Sequence, residues 1–542
     1  MRLRFEGRST AMNASWYLTS PTKTIHANVE PEEFDSVGTA DFNRTRCCDR
    51  IARVASFGNE QGVQRDMNAR VTIDRLSLVV CLQIMIVPSR TTEAQIVFED
   101  VTQSVGLENL SGSTAAWADF DNDGWVDLYI GGQLWKNDSS DRFELMSDAG
   151  LAGPGIWADF DNDGWLDLFC WTGQGRVFRN VEGRSFIDVS DQFPETPMPV
   201  SLGACWGDFD GDGFVDLYLG GYETPGYLTD AIYRNRRDGS FEQIWQTNGK
   251  LQPARGITAA DFDEDGDLDI YVSNYRLEPN LLWQNDGKGG FKDVSHEFGT
   301  AGDGDLGGWG QSMGCARGDF DKDGQLDLFV GNFSHPPAYQ DRPKFLRNLG
   351  PDGQFRFEDR SVDAGLHWQE SYASPSLADF DNDGLLDLHF TTVYPGDRSV
   401  LYRNEGDWRF SNATAGSNVD MPQTYQSAWA DYDNDGALDL VTGGRLFRNP
   451  GGDHHWLKIR LIGGSGVNTA AIGTVARIQF GDKVLTRQVE GATGQGNQND
   501  LTLHFGLGDR DGPVTIKITW PGGDVETVES TVDRLLTVRR GN

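Results

Sequence analysis

Asp119-Phe120-Asp121-Asn122-Asp123-Gly124-Trp125-Val126-Asp127 has the form Asp-x-Asp-x-Asp-Gly-x-x-Asp, and the same form returns complete at Asp159, Asp208, Asp261, Asp319, Asp379 and Asp431. Successive copies start 40 to 60 residues apart, room for about four short strands and their turns. Seven copies at that spacing predict an all-β fold, a seven-bladed β-propeller, over residues 95–452.

The flanks repeat as well. The residue two places before the first aspartate is aromatic at Trp117, Trp157, Trp206 and Trp429, and these rings are expected to pack between blades. Behind the loop comes an apolar run such as Asp127-Leu128-Tyr129-Ile130, whose β-branched and aromatic side chains suit a strand. A further strand ends in Asn in every unit, at Asn137, Asn180, Asn235, Asn285, Asn348, Asn404 and Asn449. A last strand begins near a Phe, as in Phe186-Ile187-Asp188-Val189-Ser190. The seventh unit lacks that last strand, while a spare copy, Phe98-Glu99-Asp100-Val101-Thr102, precedes the first loop. The expected arrangement is a ring in which this N-terminal strand completes the seventh blade and removes the open sheet edge.

Ligand type and spacing make the loops calcium sites. Oxygens at places 1, 3 and 5 converge only if the chain curls tightly, which the Gly at place 6 permits; place 7 offers a carbonyl and the Asp at place 9 closes the shell. The expected ligands are Asp119, Asp121, Asp123 and Asp127; Asp159, Asp161, Asp163 and Asp167; Asp208, Asp210, Asp212 and Asp216; and Asp261, Asp263, Asp265 and Asp269. They continue with Asp319, Asp321, Asp323 and Asp327; Asp379, Asp381, Asp383 and Asp387; and Asp431, Asp433, Asp435 and Asp439. Hard oxygen donors in a flexible loop favour calcium over zinc or magnesium, about seven ions in all. These 28 aspartates carry most of the acidity: without them the formal charge of −35 becomes −7.

That acidity argues against a nucleic acid or an anionic membrane as partner. Cys47, Cys48, Cys81, Cys170, Cys205 and Cys315 show no disulfide or zinc spacing. No run reaches the length of a membrane span. Residues 67–94 read as a signal peptide: Arg70 and Arg75, then Leu76 to Val87, apolar apart from Ser77 and Gln83, then Pro88 and a cleavage site after Ala94. Residues 1–66 are then a mispredicted or disordered extension ahead of the true start, and the protein is expected to be secreted, extracellular or at the cell surface.

The Asp-Phe-Asp-Asn-Asp-Gly loops with their flanking strands resemble FG-GAP or VCBS repeats. In the tail, His455-Trp456-Leu457, Asn468, Ala471-Ile472-Gly473, Leu503-His504-Phe505-Gly506-Leu507-Gly508 and Trp520-Pro521-Gly522-Gly523 resemble the ASPIC/UnbV domain of the cartilage acidic protein family. Residues 453–542 are accordingly expected to form a small β-sandwich-like domain. The tail departs from the family pattern at Gly494-Gln495-Gly496-Asn497-Gln498-Asn499. The resemblance implies a calcium-binding extracellular protein and no reaction.

Other signals carry little. Arg317-Gly318-Asp319 spells an adhesive tripeptide, but Asp319 opens the fifth loop. His454 and His455 adjoin on a strand and point to opposite faces. Asn137 and Asn332 open glycosylation sequons. No nucleophile elbow, zinc-protease motif or phosphate loop is present. The expected function is non-catalytic binding or adhesion to an extracellular protein or glycan, its rival a calcium-dependent polysaccharide lyase or hydrolase using inter-blade loops. Ligand contacts are expected in the irregular insertions: residues 302–311 with Trp309, residues 334–342 with Tyr339, and residues 222–227 with Tyr222 and Tyr227.

Overall fold

The computed structural model describes Ser15–Ser20, Lys23–Asn28 and residues 95–541 except 113, 148, 199–202, 248–251, 303–308, 335–341, 368 and 426. The chain divides into two units, Met1–Thr91 and Thr92–Asn542. In the first, Ser15–Ser20 pairs antiparallel with Lys23–Asn28. The proposed signal segment lies outside the described residues.

The second unit is all-β, with three single-turn α-helices and two short 3-10 helices among the described residues. Its repeats form four-stranded sheets. Sheet 1 runs Ala115–Ala118, Asp127–Ile130, Gln133–Ser139 and Arg142–Leu145, each paired with the next. Sheets 3 to 6 follow the same meander, with first strands Ala204–Gly207, Ala254–Ala260, Ser312–Gly318 and Pro375–Ala378. In sheet 2, Asp167–Val181 is one continuous strand pairing with Gly155–Ala158, Ser185–Asp188 and Pro197–Met198. Sheet 7 has Ser427–Ala430, Asp439–Thr442 and Arg445–Arg448, and its fourth strand is Glu99–Asp100, with Glu99 opposite Arg448 and Asp100 opposite Phe447.

Neighbouring sheets share apolar side chains. Phe120, Tyr129 and Leu134 of sheet 1 pack with Trp157, Leu168 and Phe178 of sheet 2, the Trp157 indole meeting the Tyr129 ring edge-on at 5.8 Å. Val126, Leu128 and Phe143 of sheet 1 pack with Tyr432, Val441 and Leu446 of sheet 7. The tryptophans preceding the loops are thus inter-sheet wedges, and cutting one back to Ala costs about 3–5 kcal/mol.

Beyond sheet 7, Leu503–Gly508, His455–Ile462 and Arg534–Arg539 form one sheet, the last two strands parallel. Lys483–Gln488, Val475–Phe480, Val514–Thr519 and Val525–Ser530 form another. Leu457, Ile459 and Phe505 of the first sheet share one core with Ile478, Ile516 and Ile518 of the second.

Candidate metal centres and the domain seated on them

Each loop joins the first strand of its sheet to the second. The glycine at place 6 has a positive φ throughout, from 88° at Gly213 to 99° at Gly266, a conformation that lets the chain fold its oxygens inward and that a Cβ would resist. Place 4 is left-handed as well: Asn122, Asn162, Asn382 and Asn434 occupy it in four loops, Gly211, Glu264 and Lys322 in the others.

The carboxylates converge. Oxygens of Asp119, Asp121 and Asp127 lie within 4.8 Å of one another, and so do those of Asp159, Asp161 and Asp167, of Asp208, Asp210 and Asp216, and of Asp319, Asp321 and Asp327. In the fourth loop the grouping is Asp261, Asp263 and Asp265. The Oδ1 atoms of Asp119, Asp210, Asp263, Asp321 and Asp379 are buried without a hydrogen-bond partner. A buried acceptor left unmade costs about 1–3 kcal/mol, more if charged, so these atoms ask for a cation. An all-oxygen donor set fits calcium.

Burial is also the main force on the titration of these groups. It pushes the place-1 carboxyls up, Asp119 and Asp431 to about 6 and Asp159, Asp208, Asp261 and Asp319 to about 7. The place-9 carboxyls rise further above the usual range, with neighbouring aspartates adding to the effect of burial. An empty loop holds its charge reluctantly, and a dication relieves it.

The place-9 aspartate also organises the fold. Asp127 accepts the Phe120 N–H at 3.1 Å on one oxygen and the Asn137 N–H at 2.7 Å on the other, and all seven sheets repeat both bonds. The Asn that ends the third strand then reaches the preceding sheet. Asn180 Nδ2 donates to the Phe120 carbonyl at 2.8 Å, Asn285 Nδ2 to Phe209 at 2.9 Å and Asn404 Nδ2 to Phe320 at 3.0 Å. Asn137 donates to Tyr432 of sheet 7 at 2.9 Å. The repeat of this Asn was visible in the sequence, but its partner 60 or more residues away was not.

The residue just before that Asn is a third recurring element. Lys136 pairs with Asp121 and Asp123, Arg347 with Asp321 at 2.8 Å and Asp323 at 2.9 Å, and Arg448 with Asp433 at 2.6 Å and Asp435 at 2.9 Å. Arg179, Arg234 and Arg403 occupy the same place beside Asp161, Asp210 and Asp381. All six hold the outer Oδ2 of place 3, and Lys136, Arg347, Arg403 and Arg448 also hold that of place 5, while the orphaned atoms are Oδ1. A Lys or Arg one residue before a repeated Asn was the signal that sequence reading passed over.

The FG-GAP-like repeat pattern matches residues 159–219, 208–272, 261–330, 319–390 and 379–442, and the ASPIC and UnbV pattern matches residues 464–542. The chain belongs to the FG-GAP-like repeat family and ends in an ASPIC and UnbV domain. Cartilage acidic protein 1 of Mus musculus is 27% identical over 305 residues, 51% of this chain and 43% of that protein. The Xenopus tropicalis protein of the same name is 27% identical over 310 residues, again 51% and 43%. The matched stretch is thus less than half the length of these relatives. A chain of the crystal structure of BBS1N in complex with ARL6DN, soaked with lead, covers 66% of this chain and 98% of its own at 11% identity and a TM-score of 0.37.

The ASPIC and UnbV domain sits on the loops, touching all seven. Arg460 pairs with Asp119 at 2.8 Å, the Thr469 N–H donates to Asn162, and a Cβ on Gly213 would meet Gly466 at 3.0 Å. Arg477 pairs with Glu264, the Val484 N–H donates to the Lys322 carbonyl, the Gly506 N–H donates to Asp379 and Lys458 pairs with Asp431 at 2.8 Å. From this domain residues 490–500 reach between the first strands. Trp157 N–H donates to Gln498 Oε1 at 2.7 Å and Gln498 Nε2 returns a bond to the Trp157 carbonyl. Asn497 accepts from Ala115 and donates to Ser374, Asn499 accepts from Trp429, and Gly494 pairs with Cys315. These bonds satisfy strand edges that would otherwise lie buried and unpaired. The departure at Gly494 to Asn499 therefore faces inward: Asn497 and Gln498 are fully buried.

Other sequence signals resolve by burial. Arg317 is buried and its Nε donates to the Ala259 carbonyl at 2.7 Å, so the tripeptide is not presented. Asn137 and Asn332 are fully buried with their Nδ2 atoms bonded, which removes both as glycan acceptors in the folded protein. His454 meets the Asp381 carbonyl and His455 meets Asp533. Of the irregular insertions, Trp309 packs on His296 at 4.9 Å, while Tyr339 lies outside the described residues. Tyr222 meets Tyr227 at 5.5 Å and underlies the Arg255 guanidinium at 4.9 Å, at the sheet ends away from the aspartate loops.

Proposed function

We propose that this chain is a secreted, calcium-stabilised, closed propeller of seven blades that binds an extracellular protein or glycan without catalysing a reaction. One observation carries the reading: a repeated loop whose inward carboxylate oxygens are buried and unpartnered, on sheets knitted together by the same Asn bridge. Closure is supported by the Asn137 bond to Tyr432 and by the pairing of Glu99 with Arg448. Secretion is supported by the signal-like sequence and by likeness to proteins named for cartilage.

The free ligand face in this reading is the end away from the loops, since the loop end is occupied by the ASPIC and UnbV domain. There the half-buried rings of Tyr222, Tyr275 and Tyr394 form a row joined beneath by the buried Arg255 and Phe333. Aromatic faces beside polar groups suit sugars and protein loops alike. The test is retention of glycans and extracellular proteins on the purified chain, in calcium and in chelator, with each retained ligand checked for cleavage. Calcium-dependent retention of an intact ligand is the expected result; a shortened or unsaturated product would make the protein an enzyme.

A further inference from the structure

The seven loops differ in charge, and one stands apart. Six have a Lys or Arg beside the place-3 carboxylate, and in loops 1, 5, 6 and 7 it reaches the place-5 carboxylate as well. In the fourth, that position is Gln284, a neutral side chain whose Nε2 donates to Asp263 Oδ2 at 2.5 Å. The fourth loop also adds acids where the others have none, Glu264 at place 4 and Asp267 at place 7. The cations facing it are Arg477, spent on Glu264 at 2.5 Å, and Lys288 beside Asp267, which Asp286 offsets. Loops 1, 3, 6 and 7, by contrast, receive two cations each: Lys136 with Arg460, Arg234 with Arg237, Arg403 with Arg487, and Arg448 with Lys458.

Attraction for a dication grows with the uncompensated carboxylate charge around it, and calcium loops are tuned largely by that count. We infer that the fourth loop is the tightest of the seven calcium sites, filled first on loading and emptied last on chelation. This rests on the calcium reading above and adds an order to it: one ion held at calcium levels that leave the other loops empty.

The test is a titration of the calcium-stripped full chain in competition with a chromophoric calcium chelator. The expected curve has a first step of one ion per chain, separated from the rest. Gln284→Arg, which installs the cation the other loops have, should weaken that step roughly tenfold. Asp267→Asn, a milder change at a half-exposed position, should weaken it by roughly threefold. Arg347→Gln in the fifth loop should add a second tight ion. A curve without a one-ion step, or a step untouched by both fourth-loop variants, would overturn the order while leaving calcium binding intact. A chain that takes no calcium from the chelator at any concentration would overturn the calcium reading itself.

Discussion

Asn404 and Gln498 both carry a buried side-chain amide, and both tie distant segments together. Asn404 donates to the Phe320 carbonyl of the preceding sheet and to the Leu386 carbonyl of its own. Gln498 accepts from Trp157 and donates back to it. The first bond belongs to a set that recurs in every sheet; the second occurs once, in a segment from another domain. Repetition spreads the cohesion of the aspartate-loop belt over seven equivalent places, whereas residues 490–500 concentrate theirs in a single insertion. In the calcium reading proposed above, the belt also depends on ions and the insertion does not.

That contrast makes chelation the harshest test. If calcium exceeds the dissociation constant tenfold, each site contributes about 1.4 kcal/mol, on the order of 10 kcal/mol over the set. Stripping calcium should lower the melting temperature by well over ten degrees, read by scanning calorimetry; an unchanged melt would move the weight of stability from the belt to the insertion and the core.

Acidity should sharpen the same difference. Burial pushes six of the place-1 carboxyls up to about 6 to 7 in the folded, ion-free chain, above the ordinary 3.8, and Asp379 is raised as well. A raised carboxyl pKa means the folded state binds more protons than the unfolded one, so ion-free stability falls as pH rises from about 4 to 7. Calcium displaces those protons, so the gap between calcium-loaded and stripped melting temperatures should widen from pH 5 to pH 7.5. A constant gap would mean the buried carboxylates are not what calcium neutralises.

Single substitutions come last in size. Asn404→Ala loses three side-chain bonds, two given to the Phe320 and Leu386 carbonyls and one accepted from the Gly406 N–H, and should cost about 3 kcal/mol in urea unfolding. Gln498→Ala orphans the buried Trp157 N–H and should cost about 2 kcal/mol. The Asn404 loss should persist in chelator if the bridge acts through the sheets rather than through the ion.

The same comparison explains what could be read in advance. Seven identical ligand spacings announce themselves, and so does the stray Phe98 to Thr102 strand, because its absence from the seventh unit was conspicuous. The lysine or arginine before the Asn recurs in six of the seven units, but its role depends on lying across the loop from places 3 and 5, a geometry that strand pairing creates. The segment from Gly494 to Asn499 has no periodic partner. Its bonds run to the backbone of Ala115, Trp157, Cys315 and Trp429 and to the Ser374 hydroxyl, and backbone partners leave no trace in side-chain pattern. It could be seen to differ from its family but not to turn inward.

The most direct measurement is the number of calcium ions each folded chain retains, counted by native mass spectrometry before and after chelation. Seven ions lost together with the fall in melting temperature is the predicted result. A chain that keeps its fold with none bound would contradict the account at its centre.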